Sequence, residues 1–391
     1  MRCPMREIDL KMHNTIRQLL TICGLFGWLS CFNVALAAET TAREALIIDF
    51  DTGAVLFEKN ADAPMPPASM SKIMTAYMAF ERLKEGTLAL DDEIPISEKA
   101  WRKGGSKMFV EVNSRVKIQD ILRGIIVQSG NDAAIAIAEA LGGTEEAFAD
   151  EMTQKAIALG MHDSRFRNAT GWPDPEHRMT ARDLATLAIA TIRNFPEYYR
   201  IYSEKTFKFN NIKQGNRNPL LYKNVGADGL KTGHTNAAGY GLTASAKRGG
   251  RRLILVMNGL KSVRARTQES EALIEWGFRE FSNYRLLKAT APVEHAAVWL
   301  GEKPRVPISL EKDLLLTLKR VDRKKMEVMV IFQEPIAAPI KKGQRLATLR
   351  ITAPSMKPLE LPLFANIEVA RLGVFGRIFA AVSYLLWGPD G

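Results

Sequence analysis

The alternation of apolar and polar residues predicts strands at both ends of a long mixed segment. Apolar runs at 45–50 and 54–57, joined by a short Asp-Thr-Gly turn, are typical of a β-hairpin. Runs at 228–235, 240–246 and 253–257 predict three further strands. Because these strands lie on either side of a helical region, we expect the first and last segments to share one sheet that helices flank.

Helical periodicity fills the chain between these strands. An apolar series with helical spacing follows two prolines and ends at Gly86, and it consists of Met70, Ile73, Met74, Tyr77 and Phe80. Residues 87–118 are polar and irregular. Further helices are predicted from 119 to a break at 128–131, from 132 to 141, from 181 to 192 and from about 263 to 281. Another helix, between the second and third of these, is predicted to end at 159.

A second domain of different texture follows. Short apolar runs are separated by Pro, Gly and Lys, and they occupy 296–300, 314–318, 327–332 and 345–352. This pattern predicts a small all-β domain. We therefore divide the chain into a signal peptide (1–37), a catalytic domain (38–283), the small β-domain (284–365) and a C-terminal helix (366–391).

The C-terminal segment carries an apolar stripe that basic residues interrupt. Its apolar members are Ile367, Val369, Leu372, Val374, Phe375, Ile378, Phe379, Val382, Leu385 and Leu386. Arg371 and Arg377 break the stripe too often for a membrane-spanning helix. The pattern favours a helix that lies in the headgroup plane of an anionic membrane, and the alternative is a helix docked on the β-domain.

The N-terminus has the layout of a secretory signal peptide. Four basic residues precede an apolar run at 19–29, and Ala35-Leu36-Ala37 is a small-x-small cleavage signal. Met12 is an alternative start, and lipid attachment at Cys31 fits poorly. All three cysteines lie within 1–37, so the mature chain would have no disulfide, thiol nucleophile or cysteine metal site. We expect export to the periplasmic face of a bacterial inner membrane.

Composition is that of a folded protein with room for two domains. The 391 residues are 46% hydrophobic and 25% charged, with a net charge of +11, or +9 after removal of 1–37. This excess suits an anionic lipid or polymer. No basic run interleaved with aromatics marks a nucleic-acid groove, so we expect no nucleic-acid partner.

Three short motifs point to a serine nucleophile. They are Ser69-x-x-Lys72 at a helix start, Ser129-Gly130-Asn131 in an interhelix loop, and Lys231-Thr232-Gly233 in a strand. Lys72 lies one turn after Ser69, and it can take the serine proton if its pKa falls well below about 10.4. Each motif alone has a structural explanation, as a helix cap, a turn or a strand end. Their joint occurrence in this order favours a catalytic site.

With these motifs the chain resembles the low-molecular-weight penicillin-binding proteins of the D-alanyl-D-alanine carboxypeptidase kind. The resemblance extends over nearly all of the chain after the signal peptide, and includes residues 67–75, 168–171, 228–235, 269–271 and 276–278. It implies an α/β fold with a β-lactamase/transpeptidase-like domain, an antiparallel sheet flanked by helices. It also implies removal of the terminal D-alanine from peptidoglycan stem pentapeptides, with β-lactam antibiotics such as penicillin as inhibitors.

The resemblance assigns catalytic roles to four residues. Ser69 would attack the carbonyl between the two D-alanines and form an acyl-enzyme, with Lys72 as the base. A second cation, Lys231, would help to lower the pKa of Lys72. Ser129 would relay a proton to the leaving amine, and Asn131 would orient Lys72 and the substrate amide.

Substrate binding is assigned in the same way. Lys231 and Thr232 would hold the terminal carboxylate of the substrate, and Arg266 falls where the family places a second cation for it. The backbone N–H groups of Ser69 and His234 would form the oxyanion hole. We expect no catalytic imidazole at His234.

Several alternatives stay open at this point. A transpeptidase or endopeptidase would use the same acyl-enzyme, and a non-catalytic wall-binding protein would keep the motifs without using them. A class A β-lactamase is disfavoured because no Glu-x-x-Leu-Asn occurs between Asn131 and Lys231. His162 and His177 lack ligand spacing, so we predict neither a metal nor a cofactor.

Overall fold

The chain divides into two compact units. The computed structural model describes residues 5–9, 38–378 and 382. One unit spans Leu36–Arg279, and the other combines the N-terminal residues with Glu280–Gly391. Strand β1 (Met5–Asp9) belongs to the second unit. Apart from β1, the predicted signal peptide and its cysteines lie outside the described residues.

A five-stranded antiparallel sheet forms the centre of the first unit. The strands of this unit are β2 (Glu44–Asp49), β3 (Val55–Lys59), β4 (Glu93–Pro95), β5 (Arg115–Lys117), β6 (Thr206–Phe209), β7 (Ile212–Gly215), β8 (Ala227–Thr235), β9 (Gly239–Arg248) and β10 (Arg251–Leu260). The central sheet has the order β3-β2-β10-β9-β8. Leu46 of β2 lies opposite Val256 of β10, so the prediction that the first and last segments share one sheet is confirmed.

Helices cover this sheet. They are α1 (Lys72–Glu85), α2 (Glu98–Arg102), α3 (Ile118–Ile126), α4 (Asn131–Gly142), α5 (Glu145–Ala158), α6 (Ala181–Asn194), α7 (Pro196–Tyr199) and α8 (Val263–Glu280). The segment 87–118, predicted to be irregular, contains α2 and two short strands. A hairpin of β6 and β7, which the apolar pattern did not predict, follows α7.

Three elements of the first unit meet where the motifs lie. A 3₁₀ turn, Ala68–Ser71, precedes α1, and strand β8 at the edge of the sheet packs against that turn. Helices α3 and α4 both pack against α1, and their junction contains the second motif. The buried apolar faces of α1, α3 and α4 form one core, which fixes the positions of these three helices relative to one another.

The second unit is rich in strands. Its remaining strands are β11 (Phe281–Leu287), β12 (Glu294–Trp299), β13 (Arg305–Ser309), β14 (Leu314–Lys319), β15 (Glu327–Gln333), β16 (Ile336–Ala337), β17 (Arg345–Ala353) and β18 (Met356–Ala365). They form a seven-stranded sheet of order β1-β15-β17-β18-β13-β12-β16 and a pair, β11-β14. The alternating residues of β17 bury Ala347, Leu349 and Ile351 in the core of this unit, as period-two patterning requires.

The C-terminal segment begins as extended chain. Val369 is buried and forms an isolated bridge with Ile340, and Arg371 forms one with Gly301. Helical backbone is described at 374–378. Within the described part of the chain, no helix combines the length and apolar character that crossing a membrane requires.

Candidate active site

The proposed nucleophile lies on a tight turn that other segments hold in place. Ser69 belongs to the 3₁₀ turn that follows Pro67, one residue after Ala68, whose φ is +48°. Positive φ is costly for a residue with a side chain and persists only where the surroundings fix it. Ser71 Oγ donates to the Ala68 carbonyl at 3.0 Å and so closes the turn.

The Lys72 amine lies at the centre of the site. Its Nζ is 3.0 Å from Ser69 Oγ. It donates to Asn131 Oδ1 at 2.7 Å and to the Thr170 carbonyl at 2.6 Å. A neutral amine has two N–H donors and one lone pair, and two fixed acceptors occupy both donors. The lone pair is therefore left to face the serine hydroxyl.

Burial makes a neutral Lys72 accessible near neutral pH. The side chain is 1% exposed. The pKa of Lys72 falls from 10.5 to about 7, mainly because of burial; repulsion from Arg217 and Lys103 contributes to this shift, and Asp132 and Glu145 oppose it. The sequence did not single out Arg217 or Lys103.

A loop from 168 to 172 supplies the second acceptor. Asn168 Oδ1 accepts N–H groups from Thr170, Gly171 and Trp172, which fixes the direction of the Thr170 carbonyl. Glu145 accepts the Ala169 N–H at 3.2 Å and anchors the same loop from α5. This loop carries part of the family resemblance, but no sequence signal indicated its contact with Lys72.

The second motif contributes a buried hydroxyl and an amide. Ser129 has a φ of +64° and is 1% exposed, and its Oγ has no hydrogen-bond partner among the described residues. Asn131 was expected in a loop and is instead the first residue of α4. Its Nδ2 donates to the Gly104 carbonyl at 2.8 Å, which turns Oδ1 toward Lys72.

The third motif runs along the edge strand beside the nucleophile. A Cβ built on Gly233 would lie 2.7 Å from the Pro67 carbonyl, so the two backbones touch. Lys231 and Thr232 are buried, and Lys231 Nζ donates to the Thr232 carbonyl at 3.2 Å. Burial lowers the pKa of Lys231 well below its ordinary value, and repulsion from Lys72, Arg217 and Arg266 adds to this effect. The expectation from the sequence is that Lys231 lowers the pKa of Lys72, whereas the cations that lower it are Arg217 and Lys103.

Two arginines add further positive charge to the site. Arg266 on α8 is 6% exposed, and its Nε has no hydrogen-bond partner among the described residues. Burial lowers the pKa of Arg266 to about 10, although the facing Tyr240 raises it. Arg217 follows β7 and donates to Ser106 Oγ. A single arginine in a polar loop gives no sequence signal, so only the folded chain identifies it.

The histidines play no evident acid–base part. His234 is exposed and stacks on Tyr240 with ring centroids 3.9 Å apart. His177 is buried, its Nδ1 accepts the Arg167 N–H, and burial lowers its pKa to about 4. Within the described residues, no group of three His, Cys, Asp or Glu side chains could hold a metal ion.

Comparison with family models identifies the family of the chain. Residues 32–262 match the model described as D-alanyl-D-alanine carboxypeptidase. The chain belongs to this family. Residues 281–371 match the C-terminal domain of penicillin-binding protein 5.

Individual relatives of these carboxypeptidases match most of the chain. It is 38% identical to D-alanyl-D-alanine carboxypeptidase DacC of Escherichia coli K12, over 90% of this chain and 92% of that protein. It is 36% identical to DacA of Haemophilus influenzae, over 87% and 88%. The predicted family and enzyme class, a serine-type carboxypeptidase of the penicillin-binding proteins, are therefore confirmed.

Solved structures agree with the fold. The DacD carboxypeptidase of Francisella tularensis matches with a TM-score of 0.78 and 34% identity, over 85% of this chain and 94% of that one. Penicillin-binding protein 5 of Haemophilus influenzae matches with a TM-score of 0.75 and 35% identity, over 85% and 98%. The predicted transpeptidase-like domain followed by a β-domain is confirmed.

Glycine at 171 is required by the contact between its loop and the nucleophile turn. Gly171 has a φ of +74°, and a Cβ there would lie 1.8 Å from the Ala68 carbonyl oxygen. We expect Gly171→Ala to displace the turn and lower D-alanine release by roughly a hundredfold, the effect of a misplacement of about 1 Å.

The matched control for this substitution is Gly160→Ala. Gly160 has a φ of +82° with nothing within 4 Å of a built Cβ. This change should cost only about 1 kcal/mol of stability and leave activity intact. Equal losses of activity in the two variants would contradict the proposed crowding.

The pKa of Lys72 predicts how kcat/KM for D-alanine release falls at acidic pH, which is the acidic limb of the pH profile. The base must be neutral, so kcat/KM should rise with pH through about 7 and level off above it. Arg217→Gln removes a repelling cation, which raises the pKa of Lys72 and moves the limb to higher pH. Arg200→Gln, outside the site, should leave the limb in place. A limb that Arg217→Gln does not move would show that Arg217 has no influence on the base.

Proposed function

We propose that the chain hydrolyses the bond between the two terminal D-alanines of peptidoglycan stem pentapeptides through an acyl-enzyme on Ser69. The arrangement of Lys72 carries this proposal. Its amine is buried, its two N–H donors are occupied, and the remaining lone pair faces Ser69 Oγ at 3.0 Å. An activated serine of this kind attacks acyl carbons.

In the acylation step, Ser69 Oγ bonds to the carbonyl carbon of the penultimate D-alanine while its proton passes to Lys72. The carbon–nitrogen bond then breaks, and the departing amine takes a proton, so D-alanine leaves as a neutral amine. Ser129 suits the relay of that proton because its buried hydroxyl has no competing partner among the described residues. The oxyanion is assigned to the backbone N–H groups of Ser69 and His234.

The terminal carboxylate is assigned to the positive end of the site. Lys231, Thr232 and Arg266 are all buried. Repulsion between Lys231 and Arg266 destabilises their charged forms when no anionic ligand is bound. A bound carboxylate offsets that repulsion, whereas a substrate that ends in an amide does not. This difference favours a carboxypeptidase over an enzyme that cleaves within a chain.

Deacylation of a β-lactam would be slow at this site. Asp132 and Glu145 are the two carboxylates that influence the pKa of Lys72, and both already accept hydrogen bonds. Asp132 accepts the N–H groups of Met108 and Phe109. Glu145 accepts from Ala169 and pairs with Lys99 at 3.1 Å. Neither carboxylate is free to activate water, so penicillin should remain as an inhibitory adduct. The structure of penicillin-binding protein D2 of Listeria monocytogenes in an ampicillin-bound form, 31% identical, supports this assignment.

The acyl-enzyme predicts a covalent adduct. Mass spectrometry after exposure to penicillin should find one penicilloyl group on Ser69, and D-alanine release from a stem pentapeptide should cease in Ser69→Ala. Lys72→Ala should lower that release by roughly a thousandfold, since a general base is lost. Ser203→Ala, an exposed serine outside the site, is the matched control. An unlabelled wild-type protein would overturn the serine mechanism.

We further propose that the exported chain associates with the membrane surface through its C-terminal segment. The described residues Val374, Phe375 and Ile378 leave their apolar side chains exposed, and Phe375 is 89% exposed. Such a cluster, beside basic residues, suits the boundary between headgroups and acyl chains of an anionic leaflet.

Deletion of residues 374–391 tests this association. The truncated protein should no longer sediment with vesicles that contain anionic phospholipid and should keep its carboxypeptidase activity. Phe375→Glu should weaken sedimentation, whereas Val321→Glu, at an apolar residue 69% exposed elsewhere in the same unit, should not. Continued sedimentation of the truncated protein would refute the anchor.

A further inference from the structure

The site holds more cations than one terminal carboxylate needs. Within the described residues, Lys103, Arg217, Lys231 and Arg266 have no carboxylate within ion-pair distance. Lys231 and Arg266 are already assigned to the terminal carboxylate. Unpaired positive charge beside a cleft is costly unless an anionic ligand compensates it.

Lys103 is a further cation of the site, and it has no assigned role. The charge of Lys103 affects Lys72, whereas the cations that affect Lys231 are Lys72, Arg217 and Arg266. Lys103 directly follows the last residue of α2, and its side chain is half-buried. Its ammonium is not one of the groups assigned to the terminal carboxylate.

An aromatic ring fixes the Lys103 ammonium at the rim of the site. Nζ lies 4.2 Å from the centroid of the Trp172 ring, within cation–π distance. A Cβ built on Gly105 would lie 2.8 Å from Asn131 Nδ2 and 3.1 Å from Trp172 Cζ3, so the indole lies beside the Asn131 amide. Trp172 also borders a cavity of about 490 Å³ that reaches Ala68 of the nucleophile turn.

This placement suits recognition of the substrate residue before the two alanines. Asn131 is assigned to the substrate amide, and successive Cα atoms lie about 3.8 Å apart. The side chain of the preceding residue would then extend past Asn131 toward Trp172 and Lys103. A carboxylate at the end of that substrate side chain would lie near the Lys103 ammonium. Among the described residues, Lys103 has no acidic partner, and it has no assigned role.

We propose that Lys103, held over the Trp172 ring, binds a carboxylate on the side chain of the residue that precedes the D-alanyl-D-alanine pair. The enzyme would thereby select stem peptides with a free acid at that residue over peptides in which it is amidated. This inference rests on the proposed carboxypeptidase function, and it makes Lys103 a specificity-determining residue.

The test compares two pentapeptides that differ in one group. Both end in D-alanyl-D-alanine and carry a diamino diacid as the third residue, with its side-chain carboxylate either free or amidated. D-alanine release should give the free acid a kcat/KM roughly fivefold higher, the scale of a half-exposed ion pair. Lys103→Gln should abolish this ratio, and Lys103→Arg should retain it.

The ratio separates recognition from an indirect effect on the base. Loss of the Lys103 charge also raises the pKa of Lys72, but that change affects both peptides equally. Lys107→Gln is the matched control, because Lys107 lies on the same loop and donates to the Trp101 carbonyl instead. Its ratio should equal that of the wild type.

The outcomes distinguish this inference from the function on which it rests. Equal release from both peptides by the wild type, or an unchanged ratio in Lys103→Gln, overturns the assignment of Lys103 alone. Release from neither peptide overturns the proposed carboxypeptidase function.

Discussion

The chemistry proposed for this protein depends on a buried amine, Lys72, whose N–H groups are directed away from Ser69. Asn131 and the Thr170 carbonyl occupy the two N–H donors of neutral Lys72, so its lone pair faces Ser69. Burial destabilises the ammonium and supplies a neutral base near pH 7. Neither effect exists in the unfolded chain, where a lysine is solvated and charged.

Much of the surrounding structure serves to hold this amine in place. Glu145 and Asn168 fix the loop that carries the Thr170 carbonyl, and the Gly104 carbonyl fixes the Asn131 amide. The backbone has positive φ at Ala68, which precedes Ser69, and at Ser129 in the second motif. Such strain is tolerated because α1, α3 and α4 share one packed core that determines both loops.

Charge in the site is unbalanced in a way that an anionic substrate corrects. Lys231 and Arg266 are buried beside Lys72, and their repulsion lowers the pKa of Lys231. Binding of a carboxylate would relieve that repulsion. The cations assigned to the substrate carboxylate, Lys231 and Arg266, differ from Arg217 and Lys103, which lower the pKa of Lys72.

The sequence by itself determined the three motifs and the sheet that the first and last segments share, because these depend on local spacing and periodicity, while the antiparallel arrangement followed from the family resemblance. It did not indicate Arg217, Lys103 or the contact between Thr170 and Lys72. Those features arise where segments distant in the chain meet. The pKa of Lys72 depends on burial and on charges from all of these segments, so only the tertiary structure decided it.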